Sequence, residues 1–306
     1  MLGFILKRLL YTVVVMIIAS MAIFYALRVA PGDPVNALLN PTAMDQARQA
    51  LRTRLGLDLP VYQQYFVYVK HIFQGDAGKS LLTGQTIPEM LSSYGVRSLV
   101  LAVTALVIAY GIAIPLGVLA AVRRNSIWDQ TSMFLANLGL GIPSFWLALL
   151  LILLFGATLH WLPIQGSGDV KHLILPASVL AVESLAVTMR MMRSSMLEQL
   201  SQDYVRTLRA KGVRQRRIIW VHVVRNALIP IISLTGLRIG WLIGYAVIVE
   251  TVFRWPGLGY QLVDSVIRRD YPVAQGLSLL LTFIVLWANF FANVAYALVD
   301  PRIRKR

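Results

Sequence analysis

The sequence predicts an all-α, polytopic integral membrane protein with six transmembrane helices. Six apolar stretches, each about as long as the ~20 residues a helix needs to cross a bilayer core, carry that prediction. They are Leu9–Ala30, Ser98–Val122, Met133–Leu159, Leu173–Met189, Asn226–Phe253 and Val273–Val299. Composition excludes an ordinary soluble domain: 57 % of residues are apolar and 14 % charged, where about a quarter charged is usual. A dense basic run separates the fourth stretch from the fifth, and such a segment cannot lie in lipid.

The first stretch follows Lys7 and Arg8. It exceeds the roughly 7–15 apolar residues of a signal peptide and lacks a small-x-small cleavage site, so it reads as an uncleaved span over residues 1–30. Pro31-Gly32-Asp33-Pro34 must break it, because proline lacks the amide donor and clashes with the preceding turn. Residues 31–97 form the longest polar segment and are expected to be external. Thr42 can cap a helix with Asp45 three residues on, and Gly56 suits its end. A second helix is expected over Val61–Phe73, with Tyr62, Tyr65, Phe66 and Val69 on one face. The expected roles of this segment are a cap over the outer ends of the spans and a docking surface for a substrate carrier. Gly78-Lys79-Ser80 resembles the end of a phosphate-binding loop, but the position where that loop needs its first glycine is Phe73 and no buried strand precedes it. ATP is not expected there.

Residues 98–306 read as a core of five spans with a loop at 190–225. Within that loop Ser201 to Lys211 predicts a short helix, with Asp203 in its first turn, Arg209 and Lys211 at its end and Gly212 as a stop. Acid first and base last complements the helix dipole. Tyr204, Val205 and Leu208 make an apolar stripe at helical spacing, suited to lying in a groove of a partner. The net charge of +15 is distributed unevenly. If the N-terminus is inside, the inner segments carry a large basic surplus against only Asp129, Glu198, Asp203 and Asp300. Positive charge collects on the cytoplasmic side, so both termini and the 190–225 loop are expected there, and the basic surplus is topological rather than a nucleic-acid signal.

Four charges lie within the stretches. Intramembrane charges are costly and therefore functional candidates. Glu183 and Arg238 lie mid-way along the fourth and fifth stretches and are expected to meet as an ion pair or to line a pathway. Arg28 and Glu250 lie near external ends and are expected to snorkel or brace outer loops. The histidines have no ligand-like spacing, which argues against a metal site, and no nucleophile–base or metal motif points to an enzyme.

Several strings resemble the inner-membrane permease subunits of ABC importers in the dipeptide, oligopeptide and nickel class. They are Ala30-Pro31-Gly32-Asp33-Pro34, Gly75-Asp76-Ala77-Gly78-Lys79-Ser80, Asp203 through Gly212, Trp255-Pro256-Gly257-Leu258-Gly259, Arg269-Asp270-Tyr271-Pro272 and Asp300-Pro301-Arg302-Ile303-Arg304. The resemblance covers the whole chain and implies the type I importer permease fold in a bacterial cytoplasmic membrane. It also implies a second permease, two ATP-binding subunits and an external substrate-binding protein as partners, with ATP and magnesium bound by those partners and no cofactor here. Asp203, Tyr204, Arg206, Thr207, Leu208, Ala210, Lys211 and Gly212 would form the segment that couples to the ATPase. Leu208 stands where alanine is more usual, and Val224-Arg225 where Leu-Pro would be. The implied cargo is a di- or oligopeptide; nickel, a metal chelate or glutathione are alternatives, and the short connection after the third stretch is similar to the compact members. A secondary transporter or channel is the competing class, but neither needs a coupling loop, and no internal repeat is evident.

Overall fold

The structure, a computed structural model, describes residues 2–29, 45–54 and 57–299. The Pro31–Pro34 break, the Thr42 cap, Gly56 and the closing Asp300–Arg304 string lie outside the described residues. The described chain is helical: α1 Leu2–Val29, α2 Asp45–Arg54, α3 Val61–Phe73, α4 Ile87–Val122, α5 Ile127–Gly141, α6 Ser144–Thr158, α7 Val170–Leu200, α8 Asp203–Ala210, α9 Val224–Val252, α10 Leu258–Ile267 and α11 Tyr271–Val299. Four of these, α1, α4, α7 and α11, are long and apolar enough to cross a membrane, and the α5–α6 pair makes a fifth if counted as one span. The remaining expected span falls on α9, where Gly240–Val252 is an apolar helix shorter than a span among the described residues.

Two expectations change here. The third span, expected as one helix over Met133–Leu159, is two helices meeting at 106°. Pro143 forces this: it cannot donate to the preceding turn, and it drives Ile142 to an extended conformation (φ −89°, ψ 121°). The fourth span does not stop at Met189. Helix α7 continues through Arg190 and Arg193 to Leu200, so the first part of the expected basic loop is a helical extension. At 1.5 Å per residue α7 is about 46 Å long, well beyond a ~30 Å hydrocarbon core.

The chain divides into two compact units, Met1–Ser98 with Pro256–Phe290, and Leu99–Trp255 with Phe291–Arg306. In the first, α3 forms where expected, but the face it buries is different. Tyr62 and Phe66 are exposed, whereas Tyr65 is buried edge-on against Phe24 of α1, at 5.4 Å. The Tyr65 hydroxyl lies 2.8 Å from Ser20 Oγ, and Arg28 Nε donates to Gln64 Oε1 at 2.8 Å. The face that carries partners for its polar tips is the one that packs. Arg28 thus braces α3, one of the two roles its position suggested.

The Gly75–Ser80 and Arg269–Pro272 strings are halves of one joint in this unit. Helix α10 ends with Arg269 in the left-handed region (φ 60°), and the Arg269 and Asp270 amides donate to Val266 and Ser265 carbonyls. That turn aims Asp270, 4 % exposed, at Ser80. Its carboxylate accepts from Ser80 Oγ at 2.6 Å and from the Leu81 amide at 3.2 Å. Gly78 (φ +109°) lies against the Pro272 carbonyl, where a Cβ would stand 3.3 Å away. The phosphate-loop lookalike is therefore a tight turn docked on the start of α11.

The second unit is built on close helix approach. Leu101, Ala105, Ala109 and Ala113 recur every four residues along α4 with no exposure, and Gly117 continues the row. A Cβ on Gly117 would sit 2.7 Å from Met192 Cβ and 2.9 Å from the Met189 carbonyl of α7. Small residues at such a seam let backbones approach where lipid supplies no hydrophobic drive.

Candidate coupling segment and intramembrane ion pair

Helix α8 is short, so its shape depends on its ends and on the core beneath it. Its C-terminus is a Schellman motif: the Gly212 amide donates to Arg209 O at 2.9 Å and the Val213 amide to Leu208 O at 3.1 Å. Gly212 holds φ +74° with open space around it, so a side chain there would be strained by backbone conformation alone. At the other end Thr207 Oγ1 donates to Asp203 O at 3.1 Å, and Arg206 stands 3.6 Å from Asp203 with both side chains in solvent.

The apolar stripe faces inward. Val205 is fully buried in a cluster that joins Val118 and Ala121 of α4, Met192 and Met196 of α7, and Ile218 and Val223 before α9. Tyr204 and Leu208 pack on the same cluster, and the Tyr204 hydroxyl lies 3.1 Å from Gln199 Oε1. This corrects the expectation that the stripe, and Leu208 with it, would lie in a partner's groove: the chain's own core takes that face. What α8 offers outward is mostly polar, namely Asp203, Arg206, Thr207 and Arg209 with the small Ala210 among them, and Lys211 beyond. Val205 shares one apolar core with α4, α7 and the segment before α9, so a displacement of α8 is felt by them.

Sequence reasoning missed the ion pair that clamps this end of the unit. Arg193 donates bidentately to Asp129, through Nε at 2.5 Å and Nη2 at 2.8 Å. Asp129 is 3 % exposed and also accepts from the Asn125 amide at 3.0 Å, holding a turn whose Asn125 has φ 62°. Ser126 caps α5 through the Asp129 amide. Asp129 sits in the first turn of α5, where it reads as a capping residue; its spacing from Arg193 gave no cue that they pair.

Glu183 and Arg238 do meet: Arg238 Nη1 lies 3.6 Å from Glu183 Oε1, each side chain about one-third exposed or less. Tyr245 stands beside them. The break between α5 and α6 opens a small cavity of about 110 Å³ on Glu183, with Gly139, Ile142 and Ser144 on its far wall. A double-mutant cycle on Glu183→Gln and Arg238→Met tests whether the pair acts as one unit. Each single change should impair uptake more than the double, because each strands a charge that translocon scales place at about 2.5–3.5 kcal/mol at a span's centre. Losses that simply add would mean that the two act separately.

Comparison with known proteins matches the chain to one family over nearly its whole length. Residues 113–305 match the family described as the binding-protein-dependent transport system inner membrane component. Residues 1–113 match the N-terminal family of the same membrane components. The di/tripeptide transport system permease protein of Pseudomonas aeruginosa is 39 % identical, with 99 % of both chains covered. The glutathione transport system permease proteins of Salmonella typhi and of Escherichia coli K12 are 39 % and 40 % identical, again over 99 % of both chains. The chain belongs to the family of binding-protein-dependent transport system inner membrane components.

Proposed function

We propose that this chain is one half of the pore of an ATP-driven importer of short peptides, with both termini and residues 190–225 in the cytoplasm. Its partners are a related second permease, two ATP-binding subunits and an external substrate-binding protein. ATP and magnesium are bound by the ATPase subunits, and this chain holds no cofactor. The peptide class is supported by the di/tripeptide and glutathione relatives; glutathione, itself a short peptide, is the second reading.

The observation that carries the proposal is the seating of α8. Its outward face (Asp203, Arg206, Thr207, Ala210) meets the ATPase, Tyr204, Val205 and Leu208 anchor it, and Lys211 with Gly212 ends it. ATP binding closes the ATPase pair, α8 moves as part of the Val205 core, and α4 and α7 follow. The cavity then opens outward, and the Glu183–Arg238 pair lines or braces the path. Such a change needs differential contact with the two states, which a rigidly seated helix on a moving partner supplies.

Uptake of a labelled dipeptide into proteoliposomes holding the assembled importer tests this. Uptake should require ATP hydrolysis and the binding protein, and Gly212→Val, strained by about 1–2 kcal/mol in a left-handed conformation, should lower peptide moved per ATP hydrolysed. ATP-independent uptake, or an unchanged ratio in the variant, would refute the proposal.

A further inference from the structure

In the first unit, the last turn of α1, the end of α2 with Leu57 and Leu59, helix α3, the 76–81 turn and the first turn of α11 line an open-mouthed cavity of about 410 Å³, within the size range of small-molecule sites. Two buried polar atoms at its wall have no hydrogen-bond partner among the described residues: the Tyr68 hydroxyl and Gln275 Nε2. Gln275 is only 4 % exposed, in the first turns of a helix whose other inward positions are apolar, and an unsatisfied donor buried there is costly. Burial also pushes the Tyr68 phenol upward, with the neighbouring Gln275 amide offsetting part of the effect. Gln275 Nε2 neighbours the Tyr68 oxygen and can donate one hydrogen to it; the phenol O–H and the second amide hydrogen are then still left without an acceptor.

The rest of the wall fits an anion. Arg28 is held over the Phe24 ring at 4.6 Å and fixed by Gln64; that bond uses one of a guanidinium's five N–H donors. Lys79 stands on the same cavity. The one carboxylate among the lining residues, Asp76, accepts from the Gly78 amide at 3.1 Å, faces His71 at 3.6 Å and is mostly exposed to solvent. The remaining surface is mostly aliphatic and aromatic.

We infer that this cavity is a binding site for a small carboxylate-bearing molecule, whose carboxylate accepts from Tyr68, Gln275 and Arg28. Short peptides belong to that class, and naming them as the occupant rests on the function proposed above; the carboxylate chemistry does not. The site is separate in the chain from the Glu183–Arg238 pair and from α8, so occupancy can be read without transport.

The test uses the full chain in nanodiscs of neutral lipid, with dialanine and its C-terminal amide as probes, and reads calorimetric affinity and thermal unfolding. Dialanine should bind, and the amide about tenfold more weakly or worse, since the charged acceptor is lost. Tyr68→Phe removes an unsatisfied hydroxyl, so it should raise the unfolding midpoint of the ligand-free protein while weakening dialanine several-fold. Gln275→Leu should weaken it likewise. No binding at millimolar dialanine, equal affinity for the amide, or unchanged affinity in both variants would overturn the site. Peptide uptake by the assembled importer, without binding to this chain, refutes the site and leaves the importer intact; binding without ATP-dependent uptake does the reverse.

Discussion

Replacing Val205 by aspartate is expected to abolish ATP-dependent uptake by the assembled importer. The side chain has no exposure and lies in one apolar cluster with groups from α4, α7 and the segment before α9. A carboxylate there loses its water without gaining a donor, at a cost of at least about 3 kcal/mol, more than a two-turn helix can withstand. Helix α8 should leave its seat while the spans stay inserted. Arg206→Asp, one residue along and in solvent, should leave the thermal unfolding midpoint near wild type. Full uptake by Val205→Asp would show that α8 does not need this core.

Asp129→Ala is expected to destabilise the second unit by about 1–3 kcal/mol, the range for leaving a mostly buried donor without its partner. Its carboxylate satisfies both Arg193 and the Asn125 amide, so its loss leaves a partly exposed guanidinium and an unpinned turn together. The paired change Asp129→Asn with Arg193→Met should be milder than Asp129→Ala alone, because it removes the charge along with its partner. Guanidinium-free chemical denaturation in detergent micelles, using urea and tryptophan fluorescence, measures both. A stable Asp129→Ala protein would contradict the clamp.

Length and hydropathy were enough to predict α1, α4, α7 and α11, because spanning a bilayer demands about 20 apolar residues whatever surrounds them. The same rule hid the Pro143 break: apolar content does not reveal that Ile142 is extended, and only the proline itself could have warned of it. The outer segment was harder to read. Spacing placed α3 correctly, yet its buried face was chosen by Phe24, Ser20 and Arg28, residues 36 or more positions earlier. The Ser80–Asp270 joint spans 190 positions, a separation at which two weak strings show no sign of belonging together. For α8, the helix, its charge order and its glycine end were legible. The direction of its stripe was not, because a stripe at helical spacing looks the same whether it serves a partner's groove or the chain's own core.

The central claim, that the polar face of α8 is the cytoplasmic contact for the ATPase, is tested most directly by one thiol. The chain contains no cysteine, and Ala210 is exposed on that face, so Ala210→Cys gives a single reporter for membrane-impermeant maleimide. In oriented vesicles it should label only from the cytoplasmic side, and adding the two ATP-binding subunits should protect it. Labelling from the outside, or a labelling rate unchanged by the ATPase subunits, would contradict the account.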